Sequence, residues 1–94
     1  VRTITVSQGT VNQTTCHPRD VLRPVINSQA YGFVLVHNHP SGDPNPSYAD
    51  DKMTRSIIKA AELMQVRFVD HVIIGQSIDG KDPYYSYRES SELF

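Results

Sequence analysis

The segment HNHPSGDPNPSYAD (residues 37–50) links an apolar run to a long helical pattern. The apolar run is GFVLV (residues 32–36), and its β-branched and aromatic residues predict a buried strand. Side chains alternate along a strand, so a strand that persists into this segment points His37 and His39 the same way. Asn38 then faces away. The pattern therefore predicts two imidazoles side by side at the end of a rigid element.

Asp50 reaches the same region from the helix that follows. Residues 40–46 are rich in Pro, Gly, Asp and Asn, and they predict turns. Ser47 followed three residues later by Asp50 resembles a helix-start signature, with Asp in place of the usual Glu or Gln. The first turn of a helix favours an ionised carboxylate because unpaired backbone N–H groups lie there. A loop of this length can fold Asp50 back onto the two histidines.

Two histidines and an aspartate that meet at one point form an open metal site, which leaves a fourth position for water. The set His37, His39 and Asp50 is typical of catalytic zinc. The alternative is that Ser47 and Asp50 only cap a helix and that the histidines line a polar loop. A His-x-His motif alone favours this alternative, because short motifs match by chance. The loop, the cap and the acid together favour the metal site.

The spacing of His37, His39, Ser47 and Asp50 resembles the JAMM motif of JAB/MPN-type zinc metalloproteases. The residues of the motif and of its flanking segments are more narrowly similar to the bacterial RadC-like branch of that family. The resemblance implies that the two histidines and Asp50 bind zinc and that Ser47 helps to stabilise the tetrahedral intermediate. It covers essentially the whole chain and is carried by residues 11–19, 37–50, 70–71 and 85–89.

The resemblance also implies an α/β fold with a three-layer arrangement, in which a mixed β-sheet is flanked by helices as in cytidine deaminases. The general base of the family is a glutamate on a strand upstream of the histidine pair. This chain has Glu62, Glu89 and Glu92, all of them downstream of that pair. The chain begins within a strand pattern and without an initiator Met. We therefore expect a fragment that lacks the first, glutamate-bearing strand.

Length and composition predict a single domain over residues 1–94, because this length leaves no room for a second core. The formal net charge of −1 at pH 7 gives no electrostatic case for nucleic-acid binding, so a nucleic-acid partner is only weakly supported. Cys16 is the only cysteine, which excludes an internal disulfide and a cysteine-built zinc site. No apolar run reaches membrane-spanning length, and no signal-peptide pattern opens the chain. We expect a cytoplasmic protein.

The rest of the chain alternates strand and helix patterns, which favours an α/β layer fold. Pro24 lies inside the first helical pattern and is expected to kink or shorten that helix. Asp70 and His71 interrupt a core strand, and we interpret them as a structural pair near the site. The predicted elements, in order, are a strand over 1–7, a helix from 17 to about 26, a strand over 32–36, a helix from 47 to about 65, a strand over 67–74, a turn at 79–80, an edge strand over 83–87 and a short helix or tail over 88–94.

Hydrolysis is the chemistry that a zinc site of this kind supports. The sequence therefore predicts a zinc-dependent metallopeptidase or isopeptidase-type hydrolase that acts on a peptide or protein, with its base missing from this chain. The alternative is a non-catalytic module associated with DNA repair or with protein interaction. An HNH nuclease, suggested by the tripeptide His37-Asn38-His39, is a poor alternative. In that fold the three motif residues are dispersed over a ββα unit and are not contiguous. A nucleoside deaminase is poorer still, because its His-x-Glu and Pro-Cys-x-x-Cys motifs are absent.

Overall fold

A computed structural model describes residues 3–8, 17–76, 80 and 83–94. Strands and helices alternate, as predicted. The described part of the predicted strand over 1–7 is a strand that extends one residue further, to Gln8. Residues 1 and 2, Cys16, and Asp79 of the predicted turn lie outside the described residues. The elements in chain order are β1 (Thr3–Gln8), α1 (Pro18–Asn27), β2 (Gly32–Asn38), α2 (Tyr48–Met64), β3 (Arg67–Ile74), β4 (Tyr84–Ser86) and α3 (Tyr87–Ser90).

The four strands form one sheet in the order β1-β2-β3-β4. Neighbours β1, β2 and β3 are parallel, and β4 is antiparallel to β3. The predicted α/β class with a mixed sheet is therefore confirmed, and it is compatible with a JAB/MPN-like fold. Helices α1 and α2 connect successive parallel strands and pack against each other. Connections between parallel strands are right-handed. Both connections step across the sheet in the same direction, from β1 to β2 and from β2 to β3, so their helices cover the same face of the sheet.

The hydrophobic core lies between this face of the sheet and the two long helices. Phe33 of β2 and Phe68 of β3 stack at its centre, with ring centroids 4.6 Å apart and an interplanar angle of 7°. Burying such side chains contributes most of the stability of a small domain. The buried members of the core are Val21, Leu22, Val25, Ala30, Phe33, Leu35, Met53, Ile57, Ala61 and Phe68.

The pairing between β2 and β3 changes register immediately after Phe33 and Phe68. Val34 pairs with Asp70, so that one residue of β3 is skipped. A skipped residue reverses the alternation of side chains beyond it. As a result Phe68 and His71 are both buried on the helix side, although they are three residues apart. A regular strand would have placed them on opposite faces.

Pro24 lies within α1 but does not shorten it, because the helix continues to Asn27, close to the predicted end near residue 26. One element boundary differs from the sequence expectation. At the other end of the chain, Tyr87 begins α3 and does not end the last strand. The reason is local, because the hydroxyl of Ser86 accepts a hydrogen bond from the backbone N–H of Glu89 at 3.2 Å and so caps the helix.

Candidate metal centre

His37, His39 and Asp50 meet at the carboxyl end of β2. One potential ligand atom from each of them lies within 4.8 Å of the other two. His37 is the penultimate residue of β2, His39 follows the strand, and Asp50 lies in the first turn of α2. Asp50 is fully buried and His37 nearly so. The structure therefore brings together the three residues that the sequence singled out.

The start of α2 holds the carboxylate of Asp50 in place. The backbone N–H of Ser47 donates to Asp50 Oδ2 at 2.7 Å, and the backbone N–H of Asp50 donates to Ser47 Oγ at 3.1 Å. This reciprocal pair is a capping box in which Asp takes the place of Glu or Gln. The predicted helix start at Ser47 is confirmed. Ser47 is itself exposed beside the buried carboxylate.

The loop determines which ring nitrogen of His39 acts as the hydrogen-bond donor. Its Nδ1 lies 2.7 Å from the carbonyl oxygen of Asp43, and a carbonyl only accepts, so Nδ1 carries the proton. Its Nε2 lies 3.0 Å from Asp50 Oδ2. A neutral imidazole would therefore point a lone pair at a carboxylate oxygen. A metal ion held by His39 and Asp50 would make this contact favourable. An imidazole that donates its other N–H to a backbone carbonyl is the usual arrangement of a metal ligand.

His37 contributes a buried imidazole at the other side of the carboxylate. Its Nδ1 lies 3.4 Å from Asp50 Oδ1. Burial lowers the pKa of His37, and the charge of Asp50 offsets this only in part. The neutral imidazole, which burial favours, is the form that binds metals. The rings of His37 and His39 meet edge to face, with centroids 4.9 Å apart, while Asn38 is exposed as the strand alternation predicts.

The loop that carries His39 is fastened to the end of β3. The backbone N–H of His39 donates to the carbonyl of Ile74 at 3.0 Å, and the N–H of Gln76 donates to the carbonyl of Gly42 at 2.7 Å. Gly75 lies between these two contacts and has no room for a side chain, because a Cβ atom would overlap Gly42 O. The site therefore depends on close backbone packing between the loop and the end of β3.

Asp70 and His71 interact, because the backbone N–H of His71 donates to Asp70 Oδ1 at 2.7 Å, but their side chains are directed to different parts of the molecule. Asp70 is directed towards the end of the chain, where its carboxylate accepts from the hydroxyl of Ser86 at 2.5 Å and from the backbone N–H of Arg88 at 2.9 Å. His71 faces α2 and lies with Nδ1 2.7 Å from Thr54 Oγ1. Burial lowers the pKa of His71 to about 4, so it is neutral at pH 7.

Thr54 and Tyr87 also lie next to the site, and sequence reasoning missed both. The sequence pattern places Tyr87 in an edge strand, yet this residue is only 1% exposed. Its hydroxyl donates to Asp51 Oδ1 at 2.6 Å. Burial and this hydrogen bond raise the pKa of Tyr87. No local pattern could have indicated this contact, because the two residues are 36 positions apart.

The glutamates of the chain are placed away from the ligand cluster. Glu62, Glu89 and Glu92 are exposed, and none of them belongs to the metal-ligating group found among the described residues. Glu62 lies near the end of α2, more than three turns beyond Asp50. His17 is exposed at the start of α1 and is also outside the group. Within the described ranges, no helix is long and apolar enough to cross a membrane.

Comparison with known proteins identifies the family. The profile of the RadC-like JAB domain matches residues 1–92. The chain is 42% identical over 92 residues to a UPF0758 protein of Trichlorobacter lovleyi, an alignment that covers 98% of this chain and 38% of that protein. It is 44% identical over 89 residues to a UPF0758 protein of Thermotoga maritima, covering 95% of this chain and 38% of that protein. The chain thus spans well under half the length of these relatives, and it belongs to the RadC-like JAB domain family.

Proposed function

We propose that this chain carries the zinc site of a cytoplasmic metallopeptidase-type or isopeptidase-type hydrolase. The observation that supports this most directly is the meeting of His39 Nε2 and Asp50 Oδ2 at 3.0 Å, while His39 Nδ1 already donates to a carbonyl. His39 and Asp50 would hold a metal ion here, and its positive charge would compensate the two facing acceptors. Two imidazoles and one carboxylate suit zinc and leave one coordination position for water.

The residues of the chain have distinct proposed roles in hydrolysis. His37, His39 and Asp50 would hold the metal. A zinc ion bound there would supply a Lewis acid and a water of lowered pKa. Ser47 Oγ accepts the N–H of Asp50 at 3.1 Å, which places this exposed hydroxyl next to the ligand carboxylate. We propose that it donates to the oxyanion that develops on the substrate carbonyl.

The proton-transfer step needs a base, and none of the described glutamates belongs to the ligand group. We propose that a glutamate from outside residues 1–94 supplies it, in agreement with the family resemblance. The substrate class proposed is a peptide or protein amide. Hydrolysis is therefore to be assayed on a chain extended upstream through that glutamate, with a Glu→Gln variant as the inactive control.

The ligand assignment is tested first, by the zinc content and zinc affinity of residues 1–94. We expect about one zinc per chain. The double variant His37→Ala, His39→Ala and the single variant Asp50→Asn should both lose it. Asp50→Asn keeps the shape of the side chain and an oxygen for the Ser47 N–H bond, so it removes mainly the charge. Asp20→Asn is the matched control, because this exposed carboxylate also lies in a first helical turn, accepts the backbone N–H of His17 at 3.2 Å and is not part of the ligand group.

The outcomes separate the proposal from its alternative. Zinc that is retained by Asp20→Asn and lost by Asp50→Asn supports the site. Unchanged zinc affinity in Asp50→Asn would overturn the ligand assignment. A protein that takes up no zinc at all would favour a non-catalytic interaction module.

A further inference from the structure

Three aromatic rings are stacked in a column that ends on one of the candidate ligands. The rings of Tyr87 and His71 are nearly parallel, with centroids 4.9 Å apart and an interplanar angle of 6°. The ring of His71 in turn stacks on that of His37, with centroids 5.7 Å apart and an angle of 15°. Tyr87 and His71 are both almost completely buried. The plane of the His37 ring is thus set by a stack that reaches α3.

The polar edge of the His71 ring connects to the other buried ligand. Thr54 Oγ1 donates to the backbone carbonyl of Asp50 at 2.7 Å. A hydroxyl has one proton, so the 2.7 Å contact between Thr54 Oγ1 and His71 Nδ1 is donated by the imidazole. A directed chain of hydrogen bonds therefore runs from His71 through Thr54 to the residue that carries the ligand carboxylate.

The hydroxyl of Tyr87 also holds this helical turn. It donates to Asp51 Oδ1 at 2.6 Å, and Asp51 is the neighbour of Asp50 in the first turn of α2. A short hydrogen bond from a hydroxyl to a carboxylate is among the stronger polar contacts in a protein. The start of α2 is therefore fixed to β3 through Thr54 and to α3 through Asp51.

We propose that His71, Thr54 and Tyr87 are positioning residues that hold His37 and Asp50 at the spacing a metal ion requires. The inference rests on the metal site proposed above. The three residues act through the ring plane of His37 and through the backbone of Asp50. Groups that orient metal ligands typically change metal affinity by about 10- to 100-fold when they are removed.

The test uses substitutions that remove one oxygen and preserve shape. Thr54→Val deletes the hydroxyl between His71 and Asp50, and Tyr87→Phe deletes the bond to Asp51 but keeps the stacked ring. Thr54→Ser restores the hydroxyl and is the conservative rescue. Ser56→Ala is the matched control, since Ser56 Oγ makes the same bond to a carbonyl four residues back, that of Lys52, on the exposed side of α2. Circular dichroism and denaturation of each metal-free variant establish that it is folded.

Two readouts separate positioning from general destabilisation. The first is the zinc dissociation constant, measured by competition with a chromophoric chelator. The second is the visible absorption spectrum of the cobalt(II)-substituted protein, which reports the coordination geometry. We expect about 10-fold or weaker zinc binding and an altered cobalt spectrum in Thr54→Val and Tyr87→Phe. Thr54→Ser and Ser56→Ala should remain within about twofold of the parent protein, a difference of less than about 0.5 kcal/mol.

Each outcome decides the inference. If the parent protein binds zinc and both Thr54→Val and Tyr87→Phe bind it equally well with an unchanged cobalt spectrum, the positioning role is wrong and the metal site stands. If the parent protein binds no zinc, the proposed function and this inference fail together. If Thr54→Val does not fold, Tyr87→Phe decides alone, because it removes only a hydroxyl.

Discussion

Gly75 at the end of β3 lies directly against Gly42 in the loop that carries His39. A Cβ atom on Gly75 would overlap the carbonyl oxygen of Gly42 and would also lie 2.8 Å from the backbone nitrogen of Pro44. Both obstacles are backbone atoms, which cannot move without shifting the loop. The same loop holds His39 through the carbonyl of Asp43. The close approach of the two backbones is therefore part of the metal site.

Replacing Gly75 by Ala should displace the loop and weaken zinc binding. We expect a loss of about 1–3 kcal/mol in the free energy of unfolding, the range for an overpacked site, together with weaker zinc affinity. Gly80→Ala is the control. Gly80 has a φ of +76°, and a Cβ atom there would meet nothing within 4 Å among the described residues, so Ala costs only about 1 kcal/mol of backbone strain. Urea denaturation and zinc titration measure both effects, and unchanged zinc affinity in Gly75→Ala would disprove the coupling.

The stability of the metal-free protein should fall as the pH is lowered from about 6.5 to about 4. Burial lowers the pKa of His71 to about 4, whereas an unfolded histidine titrates near 6.5. Between these values the unfolded state binds a proton that the folded state excludes. The stabilisation is therefore complete above about pH 6.5 and is lost as the pH falls towards 4, by about 3 kcal/mol for His71 alone.

His37 adds to this loss, because burial lowers its pKa in the same direction. Denaturation in the presence of a chelator, at a series of pH values, gives the free energy of unfolding as a function of pH. His71→Phe preserves a ring in the stack and should show a weaker pH dependence. His17→Gln replaces an exposed histidine and should retain the dependence of the parent protein. If the stability of His71→Phe depends on pH as strongly as that of the parent protein, His71 is not the source of the pH dependence.

Asp70 should fasten the end of the chain to β3. Its carboxylate accepts from the Ser86 hydroxyl, from the Arg88 N–H and from the His71 N–H at 2.7 Å. Asp70→Ala leaves these donors without their acceptor and should cost about 1–3 kcal/mol in the free energy of unfolding. Asp20→Ala is the control, because this exposed carboxylate accepts one N–H at 3.2 Å. Equal losses in the two variants would contradict the role assigned to Asp70.

Zinc should raise the melting temperature of the protein, because the ligand group is assembled only in the folded state. At a free zinc concentration of about a thousand times the dissociation constant, the added stability is about 4 kcal/mol. A chelator should reverse the shift. His39→Ala should show no such shift, whereas Ser56→Ala should show the full one. A zinc-induced shift that persists in His39→Ala would place the ion elsewhere.

Local rules explain why the ligand cluster was predictable. The period of two along a strand relates His37 to His39, and the helix-start pattern fixes Asp50 three residues after Ser47. Both relations span a few residues and need no knowledge of strand pairing. The α/β order of elements follows in the same way from the alternation of strand and helix patterns. The boundary at Tyr87 was missed because the Ser86 cap competed with a plausible strand pattern.

The sequence by itself determined the strand, the loop and the helix start that carry His37, His39 and Asp50. The tertiary structure decided what surrounds them. The register change between β2 and β3 turns His71 towards α2, and Tyr87 reaches Asp51 from 36 positions away. The physical reason is that register and long-range contacts depend on how separate elements pack, which a local pattern of polar and apolar residues does not encode.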